Sequence, residues 1–339
     1  MSSRTRLTDL AEHAGVSTAT VSRVLNGKPG VSAEARQAVL AALDMLGYER
    51  PEKLRGKSAG LIGLVVPELS NPVFPNFAQK IESALTHSGY TPLLCTQAPG
   101  GTTEDEYVQI LLDHSVAGIL FVSGLHADSE ASTERYQRLH SRGMPMVLIN
   151  GFSESVDAPF ISSDDAGSMD LAVRHLVAQG HTRIGLAIGP QRFVPAARKV
   201  AGFTAALRDR LGVSDPGEHV ATSLFTVEGG QAAANELLGS GHTAIVCGSD
   251  IMALGAIRAA RSRGLTVPAD VSVVGYDDSP LIAFTDPPLT TIRQSVDAMS
   301  TAAVSTILAE IDGTGAPHTE MLFTPELIVR DSTAAAPRS

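Results

Sequence analysis

From Leu61 onward, short apolar runs alternate with longer amphipathic stretches, and this rhythm limits the fold more than any other feature. Leu61-Ile62-Gly63-Leu64-Val65-Val66, Ala117-Gly118-Ile119-Leu120-Phe121-Val122, Met146-Val147-Leu148-Ile149, Ile184-Gly185-Leu186-Ala187-Ile188 and Ala244-Ile245-Val246-Cys247 carry no polar side chain, and Pro92-Leu93-Leu94-Cys95 and Val271-Ser272-Val273-Val274-Gly275 nearly none. A strand with one wet face alternates polar and apolar residues. A strand apolar on both faces needs helices on both sides, which implies α/β architecture with doubly wound parallel sheets. The intervening stretches supply the helices: about Phe74 to Thr86, Leu171 to Val177, Phe203 to Leu211, Gly230 to Leu238 and Asp250 to Arg261. Thr103-Glu104-Asp105-Glu106 is a capping box opening a further helix with Ile110, Leu111 and Leu112.

The rhythm runs to Ile149 and restarts after Asp164-Asp165, so residues 59–333 should form two similar lobes. Thr290-Thr291-Ile292 and a helix from Ala298 to Ile311 read as the chain crossing back to finish the first lobe. The expected division is about 59–160 and 291–320 for lobe 1, and about 161–290 and 321–333 for lobe 2. A cleft between two such lobes is the usual place for a small ligand.

Residues 1–48 follow a helical period instead. Leu7, Leu10, Ala11 and Ala14 share one helix face, Gly15-Val16 makes a turn, and Ser17 is suited to cap a second helix that buries Val21, Val24 and Leu25. Ser32 caps a third, with Ala35, Val39, Ala42, Leu43 and Leu46 inward. Two short helices about a glycine turn, braced by a third, make a three-helix helix-turn-helix headpiece. Residues 49–58, with Pro51 and Gly56 as breakers, form a charged connector.

Charge supports the division. The formal net charge is −10, yet residues 1–58 hold nine Lys/Arg against six Asp/Glu, a balance of +3 that leaves −13 for the remainder. A basic head on an acidic body is the asymmetry expected when only the head meets phosphates. The 43% hydrophobic and 18% charged composition belongs to globular proteins. No apolar run approaches the roughly 20 residues of a membrane span, and no secretory apolar region follows Met1. A cytoplasmic protein without a membrane partner is expected. Cys95 and Cys247, each ending an apolar run, should be buried thiols.

Val21-Ser22-Arg23-Val24-Leu25-Asn26, with Val31-Ser32 and Leu46-Gly47-Tyr48, closely resembles the headpiece of the lactose-repressor (LacI/GalR) family of bacterial transcriptional regulators. The likeness resumes at Ser249-Asp250-Ile251-Met252-Ala253-Leu254-Gly255-Ala256, Val273-Val274-Gly275-Tyr276-Asp277-Asp278, Pro287 to Ile292 and Leu327 to Arg330. Tyr48-Glu49-Arg50-Pro51, Asn71-Pro72-Val73-Phe74-Pro75 and Cys95-Thr96-Gln97 are similar to maltose or malto-oligosaccharide regulators of actinobacteria.

The resemblance implies a periplasmic-binding-protein-like body, a homodimeric repressor on a pseudo-palindromic double-stranded operator, and a small sugar effector between the lobes that lowers operator affinity, with corepression as the alternative. It puts Thr18 and Ala19 at base-reading positions. Arg23 has the side chain to donate to guanine in the major groove. Ser17, Thr20, Ser22, Asn26 and Ser32 suit phosphate oxygens, the two serines also capping helices. Leu54, six residues on from Tyr48, matches the hinge leucine that wedges into the minor groove, although this connector is shorter than the family's.

In the cleft the resemblance places Phe74, Asn150, Phe225, Ser249, Asp277 and Gln294. Phe74 and Phe225 read equally as core aromatics, and Asn150 as a strand-end turn. Where the family has an arginine, this chain has Ala197, so the neighbouring Arg198 is the candidate substitute. No Gly-x-Ser-x-Gly, Walker loop or dinucleotide fingerprint occurs, and no two histidines share metal-ligand spacing. Neither catalysis, cofactor nor metal is expected. The rivals are a sugar-binding protein with no DNA role and a nucleotide-using enzyme on a doubly wound sheet, the second disfavoured by the missing phosphate loops.

Overall fold

The computed structural model describes residues 3–48, 58–97 and 100–337. Residues 1–59 and 60–339 form separate compact units. In the first, α1 (Ser3–Ala14), α2 (Thr18–Leu25) and α3 (Ala33–Met45) enclose a small core of Leu10, Ala11, Val21, Val24, Val39, Ala42 and Leu43. The turn between α1 and α2 needs Gly15, whose φ of 61° lies in the left-handed region that side chains disfavour. Residues 49–57 of the connector, with Leu54, lie outside the described residues.

The larger unit begins with β1 (Leu61–Val66), α4 (Val73–His87), β2 (Thr91–Thr96), α5 (Glu104–Asp113), β3 (Gly118–Val122), α6 (Glu134–Ser141), β4 (Met146–Ile149) and β5 (Phe160–Ser163). The chain then crosses to a second lobe of α7 (Asp165–Ala178), β6 (Ile184–Ile188), α8 (Val194–Leu211), β7 (Val220–Thr222), α9 (Val227–Gly239), β8 (Ala244–Cys247), α10 (Asp250–Ser262), β9 (Ser272–Asp277) and β10 (Thr290–Arg293). It returns to the first lobe for α11 (Val296–Ile311) and β11 (Glu320–Phe323), and crosses again for β12 (Glu326–Ile328). The result is two six-stranded sheets ordered β11-β5-β4-β3-β1-β2 and β12-β10-β9-β8-β6-β7. All pairings are parallel except the antiparallel β10–β12 edge.

Two placements differ from the sequence expectation. Strand β10 was expected in the first lobe but pairs with β9 in the second, Thr291 opposite Gly275. Its hydroxyls hold it there: Thr291 Oγ1 donates to Asp250 Oδ1 at 2.6 Å, and Thr290 Oγ1 accepts from Arg330 N at 2.9 Å. Strand β11 was expected largely in the second lobe, yet it extends the first sheet, with Glu320 opposite Phe160. Each crossing therefore comes a few residues later than periodicity suggests.

Helices cover both faces of each sheet. In the first lobe α4 and α11 meet over Phe77, Ile81, Leu85, Met299, Ala303 and Ile307. Leu111, Tyr136 and Leu139 from α5 and α6 cover the other face. In the second lobe α9 and α10 touch backbone to backbone. A Cβ at Gly255 would stand 2.0 Å from Val227 O, so only glycine permits that approach. Cys95 and Cys247 are buried free thiols. No described helix is long and apolar enough to cross a membrane.

Candidate functional site

In the head, the sequence that starts α2 also shapes its outer surface. Ser17 Oγ accepts from Thr20 N at 3.1 Å and lies 2.9 Å from Thr20 Oγ1, fixing the first turn. Ser32 Oγ caps α3 through Ala35 N at 3.2 Å. Because Val21 and Val24 occupy the core, helical spacing leaves Thr18, Ala19, Arg23 and Asn26 exposed, with Thr20 and Ser22 half-buried. Asn26 Nδ2 donates to Ser22 O at 2.8 Å and closes the helix. All the described DNA-contact candidates thus belong to one unit, and all but Ser32 lie on or at the ends of α2.

The second candidate is the cleft at the carboxyl ends of the two parallel sheets, where open α/β folds take ligands. Ser123, Asn150, Asp277 and Asp278, all at such strand ends, have φ of 46°, 62°, 117° and 56°. Non-glycine backbone in this strained region concentrates at ligand sites. Asn150 Nδ2 donates to Ser123 Oγ at 3.3 Å, joining two of these positions.

Asp277 is the centre of the second-lobe wall. Gln294 Nε2 donates to its Oδ1 at 2.7 Å, while Oδ2 is buried without a hydrogen-bond partner. Asn71 of the first lobe also draws this carboxyl downward, though no hydrogen bond of ordinary geometry reaches Oδ2. Burial, followed by the negative charge of Asp250, pushes the carboxyl well above the ordinary aspartate value, against the opposing pull of Gln294 and Lys199. A buried polar atom left unpaired is costly, so Oδ2 is primed for a hydroxyl partner. Asp278 differs: Arg293 at 2.7 Å and Arg330 at 2.6 Å clamp it into the scaffold.

The other cleft candidates have varied surroundings. Ser249 is buried and caps α10 through Met252 N at 3.3 Å. Phe225 lies across the ends of β6 and β8, so near Gly189 and Gly248 that a Cβ there would meet its ring at 2.1 and 3.2 Å. Phe74, in the first turn of α4, is half-buried against the first-lobe core. Arg198 is otherwise engaged: its two terminal nitrogens lie 2.6 and 2.9 Å from the Glu320 carboxylate, a bidentate pair between lobes.

The inward position on α8 belongs to Lys199, which the residue pattern did not single out. It is 5% exposed, pairs with Asp165 at 2.5 Å and lies 3.9 Å from the Tyr276 ring centre. Tyr276 Oη donates to the same Asp165 oxygen at 2.9 Å. The signal available was spacing, since Lys199 stands four residues before the buried Phe203 on one helix face. Two surface cavities lie elsewhere. One of about 430 Å³ between α5 and α6 has Arg135 and Arg138 already paired with Asp105; the other lies along α10 beside Arg258 and Arg261. Neither holds an unpaired buried group, and the cleft remains the stronger site.

Residues 6–51 match the family model for bacterial regulatory proteins of the lacI family, and residues 173–333 that for a periplasmic binding protein-like domain. The chain is 64% identical over 336 residues to the HTH-type transcriptional regulator MalR of Streptomyces coelicolor, covering 98% of each chain. The chain belongs to the lacI family. Among solved structures the regulator is similar to a complex of the transcriptional regulator CelR with cellobiose, at a TM-score of 0.71 and 30% identity, covering 96% of this chain and 99% of that one. It is also similar to the lac repressor dimer bound to operator and the anti-inducer ONPF, at 0.70 and 29%, covering 96% and 98%. Head and body are therefore those of a DNA-binding transcriptional regulator.

Proposed function

We propose that this regulator is a cytoplasmic homodimeric repressor, acting by binding rather than turnover, whose hold on a pseudo-palindromic operator is weakened by a sugar taken up between its lobes. The carrying observation is Asp277 Oδ2, a buried oxygen without a hydrogen-bond partner on the second-lobe wall of the cleft. A pyranose brings hydroxyl donors for Asp277, Gln294, Asn150 and Ser249, and an apolar ring face for Phe225 and Phe74. Lys199, not Arg198, supplies the cation behind this wall.

Cellobiose in the CelR complex and the likeness to malto-oligosaccharide regulators favour a glucose oligosaccharide, of maltose type. On DNA, Thr18, Ala19 and Arg23 read base edges while Ser17, Thr20, Ser22, Asn26 and Ser32 hold phosphates. Leu54 serves as the hinge wedge. Leu281 and Phe284, 75% and 84% exposed, give the second lobe an apolar face suited to self-association.

The test is a thermal-shift panel of glucose, maltose, maltotriose and cellobiose, followed by operator titration with and without the sugar that binds. Binding by one sugar together with weaker operator affinity is expected. Unchanged operator affinity at saturating sugar would sink the proposal, and tighter affinity would reverse its sign.

A further inference from the structure

The first lobe carries a second cluster far from the cleft. His140 lies in the last turn of α6, Asp157 in the loop entering β5, and His318 in the loop entering β11. β4, β5 and β11 are neighbours in the sheet, so the three residues converge at the amino ends of three adjacent parallel strands. Separations of 17 and 161 residues hide this from any local motif, although the potential ligand atoms all lie within 4.8 Å of one another.

We propose that His140, Asp157 and His318 form a surface site for a divalent transition-metal ion, with zinc as the fitting chemistry. Two imidazoles and a carboxylate are a zinc donor set, and a water would complete four-coordination. Donors about 2.0–2.2 Å from a tetrahedral ion stand about 3.3–3.5 Å apart, and His140 Nε2 lies 3.4 Å from Asp157 Oδ2. His318 Nδ1 is hydrogen-bonded directly to Asp157 Oδ1, and an entering ion would replace that bond as the two donors separate.

The surroundings complete the arrangement. His318 Nε2 lies 3.5 Å from Glu310 Oε2, so with Nδ1 given to an ion the remaining N–H would face a carboxylate. Such an outer carboxylate fixes the tautomer and orientation of a metal-bound histidine. Glu310 is itself held, its Oε1 accepting from Ala316 N at 2.6 Å. All three proposed ligands are exposed, leaving an ion open access. A bound ion would tie α6 and the β5 and β11 loops together at the end of the sheet opposite the effector cleft.

The test uses the full chain without an affinity tag, stripped with a chelator and titrated with Co²⁺ while its visible absorption is recorded. One Co²⁺ per chain, displaced by Zn²⁺, is expected. His140→Ala and His318→Ala should each abolish the band, and Glu310→Gln should weaken binding about 10–100-fold. His114→Ala, at the exposed end of α5, should change nothing. Zn²⁺ should raise the thermal transition of the parent chain and leave that of the double histidine variant unmoved. If either alanine variant melts early without metal, Asp157→Asn takes its place with the same expectation. No absorption band with the parent chain, or a band that survives loss of both histidines, overturns the proposal.

Discussion

Asp277 and Asp278 are adjacent aspartates at the same strand end, and their surroundings give them opposite duties. Two arginines consume Asp278, whereas Asp277 keeps one oxygen buried and unpaired. The sequence offered them as a pair; only the side-chain partners separate scaffold from site. Asp277→Asn should therefore leave the fold and operator binding intact while weakening sugar binding about 2–10-fold, the net worth of one neutral hydrogen bond. Calorimetric titration with the active sugar checks this, and unchanged affinity would place the ligand elsewhere. His126 makes a second residue-scale case. Its Nε2 lies 3.1 Å from Ile149 O while Nδ1 is buried without a partner, and burial lowers its pKa to about 4 from an ordinary 6.5. Between those values the unfolded chain takes up a proton that the folded chain refuses, so this contribution to stability is complete above pH 6.5 and shrinks as pH falls toward 4. The loss is on the order of 3 kcal/mol at most. Urea unfolding at pH 7.5 and 5 should show a shallower acid loss in His126→Gln, although His175, His181 and His242, lowered by burial in the same direction, keep some slope.

Elements were legible wherever local chemistry decides them. The capping box of α5 forms as its residues require, Thr103 N donating to Glu106 Oε2 at 2.7 Å, and Ser17 and Ser32 cap the helices they precede. Wholly apolar strands were equally readable. Strand β5 was not, because Ser162 and Ser163 look like loop residues. Both are nevertheless buried, and Ser162 Oγ accepts from Gly151 N at 3.3 Å inside the first lobe. On α8 the neighbouring Arg198 and Lys199 are alike in charge, and only helix rotation sends one to Glu320 and the other into the core. The cap of α2 gives a test at this scale. Ser17→Ala should cost the head about 1 kcal/mol and also loosen the first turn that presents Thr18 and Ala19. Operator affinity should fall, whereas Ser17→Asp should restore the head's melting temperature but not DNA binding, since its charge opposes phosphate. Recovery of both by aspartate would mean that Ser17 only caps.

At the scale of the larger unit, the contacts between lobes determine what a ligand can do. Arg198 reaches from α8 to Glu320 on β11, and Ser129 of the first lobe donates from N and Oγ to Arg192 O of the second at 2.9 and 2.8 Å. Periodicity could not reveal these links, since they join residues 122 and 63 positions apart. They hold the lobes together around the cleft, so their strength helps set the balance between closed and open forms. A sugar shifts that balance only by binding one form better. If the closed form is the one that binds sugar and releases operator, weakening the latch makes the sugar work against a larger open population. Glu320→Gln replaces a charge-assisted bidentate pair with at most neutral hydrogen bonds. Because Arg198 is partly exposed, its unpaired charge can be solvated and the cost to folding should be small. The sugar concentration for half-release of operator should rise about 2–10-fold, with operator affinity in the absence of sugar equal or tighter. Arg198→Gln should behave likewise, and the double variant should be no worse than either single one, because both remove the same link. Fluorescence anisotropy on labelled operator DNA across a sugar series measures all three, and greater sugar potency in Glu320→Gln would assign the latch to the operator-binding form instead.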